Sequence, residues 1–121
     1  MTSRNVSWTG GTPTASSSDD QAYIWCNGTT GQGWTFTAPA DTSSRTLNIL
    51  CGNGGGATKM VAHLSDSSAT DYTDTEPAGP STYLYTLKYN AAQAGQTLKI
   101  TLTKNDTNAS YSVDLDAAWL H

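Results

Sequence analysis

Hydrophobic residues recur at every second position through most of the chain, and this period predicts β-strands rather than helices. The alternation is clear at Leu47, Ile49 and Cys51, and it returns in five further stretches. Those stretches are 34–36, 60–64, 85–89, 98–102 and 111–115. Clusters of Gly, Asn, Asp, Pro and Ser, typical of turns, separate them. We therefore expect about eight short strands and no segment with a helical pattern.

Each predicted strand has one apolar face and one face of Thr, Lys or Asn. This pattern is typical of antiparallel sheets that bury one face and expose the other to water. Two such sheets packed face to face form an all-β β-sandwich, which is the fold we expect. With 121 residues, the chain is expected to form one domain that spans residues 1–121.

The charge of the chain and the length of its apolar runs argue against two classes of partner. Only 13% of the residues are charged, and the formal net charge is −4. Nucleic-acid binding depends on a patch of Lys and Arg, which this composition does not favour. No apolar run approaches the length of about 18 residues that a transmembrane helix needs. We expect binding to neither nucleic acids nor membranes.

The sequence offers little for catalysis, and we expect a protein that is not an enzyme. His63 has the outward parity of its strand and His121 is the last residue, so neither is placed as a base beside a nucleophile. Paired loop carboxylates, as in glycoside hydrolysis, are the one catalytic arrangement that the sequence leaves open.

No metal or cofactor is expected either. Cys26 and Cys51 lack the spacing of a zinc site, and they are either bridged, as in extracellular proteins, or two buried thiols. The acidic stretch at 65–76 is either a solvated loop or a calcium site assisted by main-chain carbonyls.

The aromatic residues carry the strongest functional signal. The chain has four Trp and six Tyr but one Phe. Trp and Tyr are enriched where one side of a ring is packed and the other meets water or a polar ligand. A sugar ring suits such a surface, because its C–H groups stack on the aromatic face while its hydroxyls reach polar side chains nearby. A sheet face with aligned rings would bind a polysaccharide without any catalytic group.

Strand parity predicts which rings face outward in the stretch QAYIWCN. Ile24 and Cys26 suit a core, and if both point inward then Tyr23 and Trp25 point outward together. The opposite register would bury both rings and expose Ile24. We favour the first register.

The same argument applies to SVDLDAAWLH at the end of the chain. Val113 and Leu115 are expected to point inward, which places Asp114 and Asp116 outward. Trp119 follows two alanines near the end of this strand, and its parity leaves both faces open.

The predicted binding site combines these residues, with rings for stacking and polar groups for the hydroxyls. Its members are Tyr23, Trp25, Asn27, Asp114, Asp116 and Trp119. Trp34 shares its parity with Phe36 and is expected in the core, as are Tyr85 and Tyr89.

Four stretches also resemble a β-sandwich module found beside catalytic domains in secreted bacterial polysaccharidases. They are SWTGGTP at 7–13, GWTFTAPADTSSRTL at 33–47, HLSDSSATDYTD at 63–74 and YTLKYNAAQAGQTLKIT at 85–101. Among carbohydrate-binding modules, the chain is most similar to the family 81 type, which is attached to endoglucanases.

The resemblance implies a secreted, bacterial protein in which a planar site along the strands binds β-glucan. The implied ligands are β-1,4- and mixed-linkage glucans, xyloglucan and cello-oligosaccharides from plant cell walls. The implied partner is a covalently attached glycoside hydrolase domain. Two other readings stay open: a structural spacer or protein-interaction sandwich of an extracellular multidomain protein, and a calcium-dependent, lectin-like domain.

Overall fold

The computed structural model describes residues 6–9, 14–20, 23–108 and 110–121. These residues form ten strands and no helix, so none of their segments is a candidate membrane-spanning helix. The strands are β1 (Val6–Thr9), β2 (Ser16–Asp20), β3 (Ile24–Asn27), β4 (Gly33–Ala40), β5 (Arg45–Asn53), β6 (Thr58–Leu64), β7 (Tyr72–Glu76), β8 (Ser81–Tyr89), β9 (Gln96–Lys104) and β10 (Ser112–Leu120).

Eight of the strands form two antiparallel four-stranded sheets. The first sheet has the order β3-β10-β5-β8 and the second has the order β4-β9-β6-β7, while β1 and β2 pair as a separate two-stranded sheet. The all-β sandwich predicted from the sequence is therefore confirmed. Because β8 and β7 each have one neighbour, both sheets have an open edge there.

The core lies between the inner faces of the two sheets, where the period-two pattern buries its apolar side chains. Ile49 from β5 and Ile100 and Leu102 from β9 have no solvent exposure. Trp34 is buried as predicted, and its ring stacks on that of Phe36 with 5.8 Å between centroids. The other buried apolar residues are Ala38, Ala40, Leu47, Cys51, Met60, Ala62, Leu64, Tyr85, Ala91, Leu98 and Val113. Tyr89 is partly buried and packs against this core, so the inward prediction for Tyr85 and Tyr89 holds.

Two strands lie in stretches that the sequence pattern predicted as turns. β2 falls in the cluster at 9–20 and pairs only with β1, and β7 falls in the long polar stretch at 65–81 and pairs only with β6. The side chains of β7 are all exposed or partly exposed. A strand that buries almost nothing has no apolar alternation, and this is why the pattern missed β7.

Cys26 and Cys51 both remain thiols, so the open question of a disulfide is answered. Cys26 lies opposite Val113 on β10, and Cys51 lies opposite Leu115 on the other side of the same strand. Two strand spacings separate the cysteines, roughly 9.6 Å, which exceeds the Cα–Cα reach of a disulfide.

A buried lysine fixes the turn that leads into β10. The Lys104 side chain, at the end of β9, is 1% exposed, and its Nζ lies 4.0 Å from Asp106 Oδ1. Nζ donates hydrogen bonds to the carbonyl oxygens of Asn108 and Tyr111, the latter at 2.6 Å. Because a buried ammonium group needs such partners, the 105–111 turn is held to the end of the sandwich, and β10 starts from a fixed position.

Candidate functional site

Two tryptophan rings stand on the outer face of the first sheet. Trp25 lies opposite Asp114 and is 56% exposed, and Trp119 lies opposite Asn48 and is 45% exposed. The inward parity of β10 belongs to Val113 and Leu120, so both rings point away from the core. The prediction that Trp25 points outward, with Ile24 and Cys26 on the inward parity, is confirmed.

A β-bulge decides the orientation of Trp119, which the sequence pattern left open. The register of β10 against β5 shifts between Leu115 and Ala117, and Asp116 is the extra residue. Without the bulge, strict alternation from Val113 and Leu115 would point Trp119 into the core. One extra residue reverses the parity of every side chain that follows it, so Trp119 shares the outer face with Trp25.

Aliphatic and polar side chains lie between and beside the two rings. Leu50 and Ala117 lie opposite each other, and Leu84 lies opposite Leu50 on β8. The next row along the strands contains Trp119, Asn48 and Thr86. We call this surface the Trp face, formed by Trp25, Asn48, Leu50, Leu84, Thr86, Ala117 and Trp119.

The polar row beside Trp119 is held by hydrogen bonds. Thr86 Oγ1 donates to Asn48 Oδ1 at 2.8 Å, and Asn48 Nδ2 lies 3.0 Å from Nε2 of His121. Asn48 is buried although it belongs to the outer face. With both ends of its amide engaged, Asn48 cannot rotate freely, so the surface beside Trp119 is preorganised and would lose little entropy on binding.

The two rings are spaced for an extended ligand rather than a compact one. Trp119 follows Asp114, the residue opposite Trp25, by five positions along β10. At the rise of a β-strand this corresponds to roughly 15 Å along the sheet, slightly less because of the bulge. A ligand that touches both rings must therefore run along the strands over several ring lengths.

The other four predicted site residues differ in their exposure to solvent. Asn27 is exposed and shares its face with Trp25, and Tyr23 precedes β3 and is partly buried. Asp114 points to the outer face as predicted but has no solvent exposure. Asp116 is partly buried at the bulge.

The expectation that Asp114 bonds sugar hydroxyls at the edge of the rings is therefore wrong for this conformation. Asp114 occupies a central strand, between Trp25 on one side and Gly52 on the other. A carboxylate without solvent exposure cannot reach a ligand on the surface. Parity indicates the face of a residue, but it does not indicate what covers that residue.

Ile24 differs from the prediction in burial but not in parity. It lies opposite Leu115, on the inward side, yet it is 62% exposed. The reason is its place in β3, a four-residue edge strand that pairs, among the described strands, with β10 alone. Cys26, on the same parity, packs against the core.

Sequence reasoning missed Leu50, Leu84, Asn48 and Thr86 as members of this face. A usable signal was present, because Leu84 precedes Tyr85 and Leu50 precedes Cys51, both inward residues. An apolar residue next to an inward residue in a strand must point outward. Two such residues on neighbouring strands indicate an apolar outer surface.

Further titratable residues lie away from the Trp face and have separate partners. His63 Nδ1 lies 2.6 Å from Asp71 Oδ1 on the outer side of the second sheet. Asp66 accepts hydrogen bonds from Ser68 within its own loop, and these bonds lower the pKa of that carboxyl group. Asp74 accepts a hydrogen bond from Tyr85 Oη at 2.9 Å. Within the described ranges, no three His, Cys, Asp or Glu residues are grouped to hold a metal ion.

The comparisons with known proteins give a likeness of fold. No protein-family model matches the chain, and no curated protein matches it. Among solved structures, the chain is similar to the carbohydrate-binding module CBM36 in complex with calcium and xylotriose, with a TM-score of 0.47 and 11% sequence identity. The match covers 100% of this chain and 92% of that one.

Proposed function

We propose that this chain is a non-catalytic module that binds β-glucan chains on its Trp face. The ligands are β-1,4- and mixed-linkage glucans and xyloglucan, and the module directs an attached, secreted glycoside hydrolase to plant cell-wall polysaccharide. Such an attachment raises the effective concentration of the enzyme at its polymer, because binding by the module makes the encounter intramolecular.

The observation that carries this proposal is the pair of exposed indole rings on one face of one sheet. Both Trp25 and Trp119 project from neighbouring strands, and Leu50 and Leu84 extend the apolar surface beside them. Exposed aromatic rings at this spacing are costly unless a ligand covers them, and a glucan chain offers flat C–H faces at regular intervals. Asn27 and the Asn48–Thr86 row supply polar atoms near the rings.

The test is affinity electrophoresis in gels that contain one soluble polysaccharide each. We expect barley β-glucan and xyloglucan to retard the protein, and a reducing-sugar assay of the same mixtures to show no hydrolysis. Normal migration in every gel would contradict the proposal and favour a spacer or protein-interaction sandwich. Release of reducing sugar at an enzymatic rate would contradict the non-catalytic part alone.

Calorimetry gives a second measure of the same proposal. Stacking and hydroxyl hydrogen bonds on a preformed face should make the binding enthalpy favourable, partly offset by the ordering of the flexible sugar chain. Binding driven by entropy alone would indicate dehydration of a purely apolar plane instead.

A further inference from the structure

A second concave surface lies on the open side of the sandwich, where the edge strands β7 and β8 face each other. We call this the lateral cleft. Its volume is about 470 Å³, and it is lined by Ala69, Thr70 and Tyr72, by residues 84–89 of β8, and by the core residues Ala62, Leu64 and Leu98. This volume lies in the range of about 300–1,000 Å³ that is typical of small-ligand sites.

The cleft exists because one sheet edge stops early. β7 covers β6 only as far as the pair Ala62–Tyr72, so Leu64 has no neighbour on that side. Tyr72 has the inward parity of β7, but its ring is 48% exposed because it stands at the end of the strand. Leu64 and Leu98 line the cleft while almost fully buried, and a tyrosine ring stands at its entrance.

Two further tyrosines on β8 form a fixed wall. Tyr85 donates its hydroxyl hydrogen to Asp74 Oδ2 at 2.9 Å, which links β8 to β7 across the two sheets. Tyr89 donates its hydroxyl hydrogen to the carbonyl oxygen of Pro39 at 2.8 Å. Both rings are therefore held in place before any ligand arrives.

The polar side chains at the rim differ from these two tyrosines, whose hydroxyl groups already have hydrogen-bond partners. Within the described part of the chain, the side chains of Thr70, Tyr72 and Lys88 make no hydrogen bond or ion pair, although all three line the cleft. The wall is apolar and rigid, and the rim offers hydroxyl and ammonium groups. Lys88 is the one charged residue of the lining, and its ammonium group can donate hydrogen bonds to hydroxyl oxygens of a ligand.

From this geometry we propose that the lateral cleft is a second carbohydrate subsite, which takes one or two pyranose units of a short chain or chain end. A sugar ring would stack on Tyr72, and its hydroxyls would meet Thr70 and Lys88. The inference rests on the proposed function for the class of ligand. The cleft meets the Trp face along β8, where Leu84 and Thr86 line both surfaces, and Thr70, Tyr72 and Lys88 belong to the cleft alone. The Trp face holds the middle of an extended chain, while the cleft holds a short segment.

The experiment is a titration of the ¹⁵N-labelled protein with cellotriose, followed by amide chemical shifts. We expect saturable shifts around Thr70, Tyr72 and Lys88. Tyr72→Ala should weaken cellotriose binding about tenfold, the scale of one lost ring-stacking contact. Tyr72→Phe is the matched control: it keeps the ring and should retain most of the affinity.

Retardation by barley β-glucan, measured on the same variants, separates the two proposals. Tyr72→Ala should leave polymer binding by the Trp face nearly unchanged. Cellotriose shifts confined to the Trp face, or absent everywhere, would overturn the cleft proposal, whatever the polymer gels show. Shifts along β8 with an extended apolar peptide, but none with cellotriose, would overturn it as well and assign the cleft to strand addition.

Discussion

The two outer faces of this sandwich have the same backbone geometry and different side chains. The outer face of the second sheet, which we call the Thr face, is mainly Thr and Lys. None of its paired outward positions in the described strands carries Trp, Tyr or Phe. Its central row contains Thr35, Thr101, Val61 and Thr73. The Trp face presents two indole rings and two leucines in the same setting.

The comparison teaches what the fold requires and what it does not. The Thr face shows that an outer surface of this sandwich is stable with β-branched polar residues, which suit strands and tolerate water. Apolar residues on an outer face are therefore not a general requirement of this architecture. Exposed apolar groups without a structural purpose are the usual mark of a binding surface.

The largest expected effect concerns a ring behind the Thr face. Trp34 projects inward from the second sheet, so Trp34→Ala should lower the free energy of unfolding by about 3–5 kcal/mol through lost burial and a cavity. Urea unfolding followed by circular dichroism measures this. Glucan binding by the folded fraction should persist.

The matched control at this position is Trp34→Phe, which keeps an aromatic ring in the core. Among the residues that the structure describes, the buried Trp34 Nε1 has no hydrogen-bond partner, so losing this N–H removes an unfavourable group. The variant should be far more stable than Trp34→Ala. If Trp34→Ala unfolds like the parent but loses binding, the assignment of inner and outer rings is wrong.

Next in size are the rings of the Trp face itself. Trp25→Ala and Trp119→Ala should each weaken binding to barley β-glucan by about 1–3 kcal/mol, the scale of one ring-stacking contact. Unfolding should change little, because an exposed ring leaves no cavity. Thr37→Ala on the Thr face is the control and should bind like the parent. Equal losses from all three variants would remove the distinction between the faces.

A smaller effect is the pH dependence of the free energy of unfolding, which reports on the tyrosines on the inner side of the first sheet. Burial raises the pKa of Tyr83, Tyr85 and Tyr89, and for Tyr85 the hydrogen bond to Asp74 adds to the shift. A raised pKa favours the neutral phenol in the folded state. Its stabilisation is complete below the unfolded pKa of about 10 and is lost as the pH rises above that value.

The measurement is the free energy of unfolding between about pH 8 and pH 11. We expect it to fall at the alkaline end, and Tyr85→Phe should make the curve flatter. A curve that keeps its full slope in Tyr85→Phe would contradict the assignment of this inner ring.

The smallest expected effect is that of a chelator. The acidic stretch at 65–76 gives Asp66, Asp71 and Asp74 three separate partners rather than one shared centre. Addition of a chelator should therefore change neither the melting temperature nor glucan binding. Loss of binding in chelator would favour the calcium-dependent, lectin-like reading.

Sequence patterns predicted most of the fold, because burial imposes period two on strands with one face in the core. β6 and β9 follow it with little deviation, since each lies inside a sheet. The pattern missed β7 because it is an exposed edge strand, and none of its side chains is buried in the core. The pattern thus predicts strands that bury one face, including the edge strands β4 and β8, and it misses strands that bury neither face.

The candidate site was predictable only in part, for a different physical reason. Trp25 was placed correctly because its neighbours Cys26 and Ile24 fix its parity. Trp119 was left open because a bulge adds a residue without leaving a hydrophobic signal. The burial of Asp114 and the lateral cleft depend on contacts between segments distant in sequence, and no local pattern contains that information.

The bulge at Asp116 also has an evolutionary meaning. Deletion of this one codon would remove the extra residue and leave Ala117, Ala118, Trp119 and Leu120 opposite their present partners on β5, so Trp119 would still point outward. A point substitution changes which side chain occupies a position on the surface. A single-codon deletion at the bulge changes only the length of β10. The bulge can therefore absorb the loss of one residue without reversing the faces of the strand, and descendants of this scaffold can vary the length of β10 here while the aromatic contact is kept.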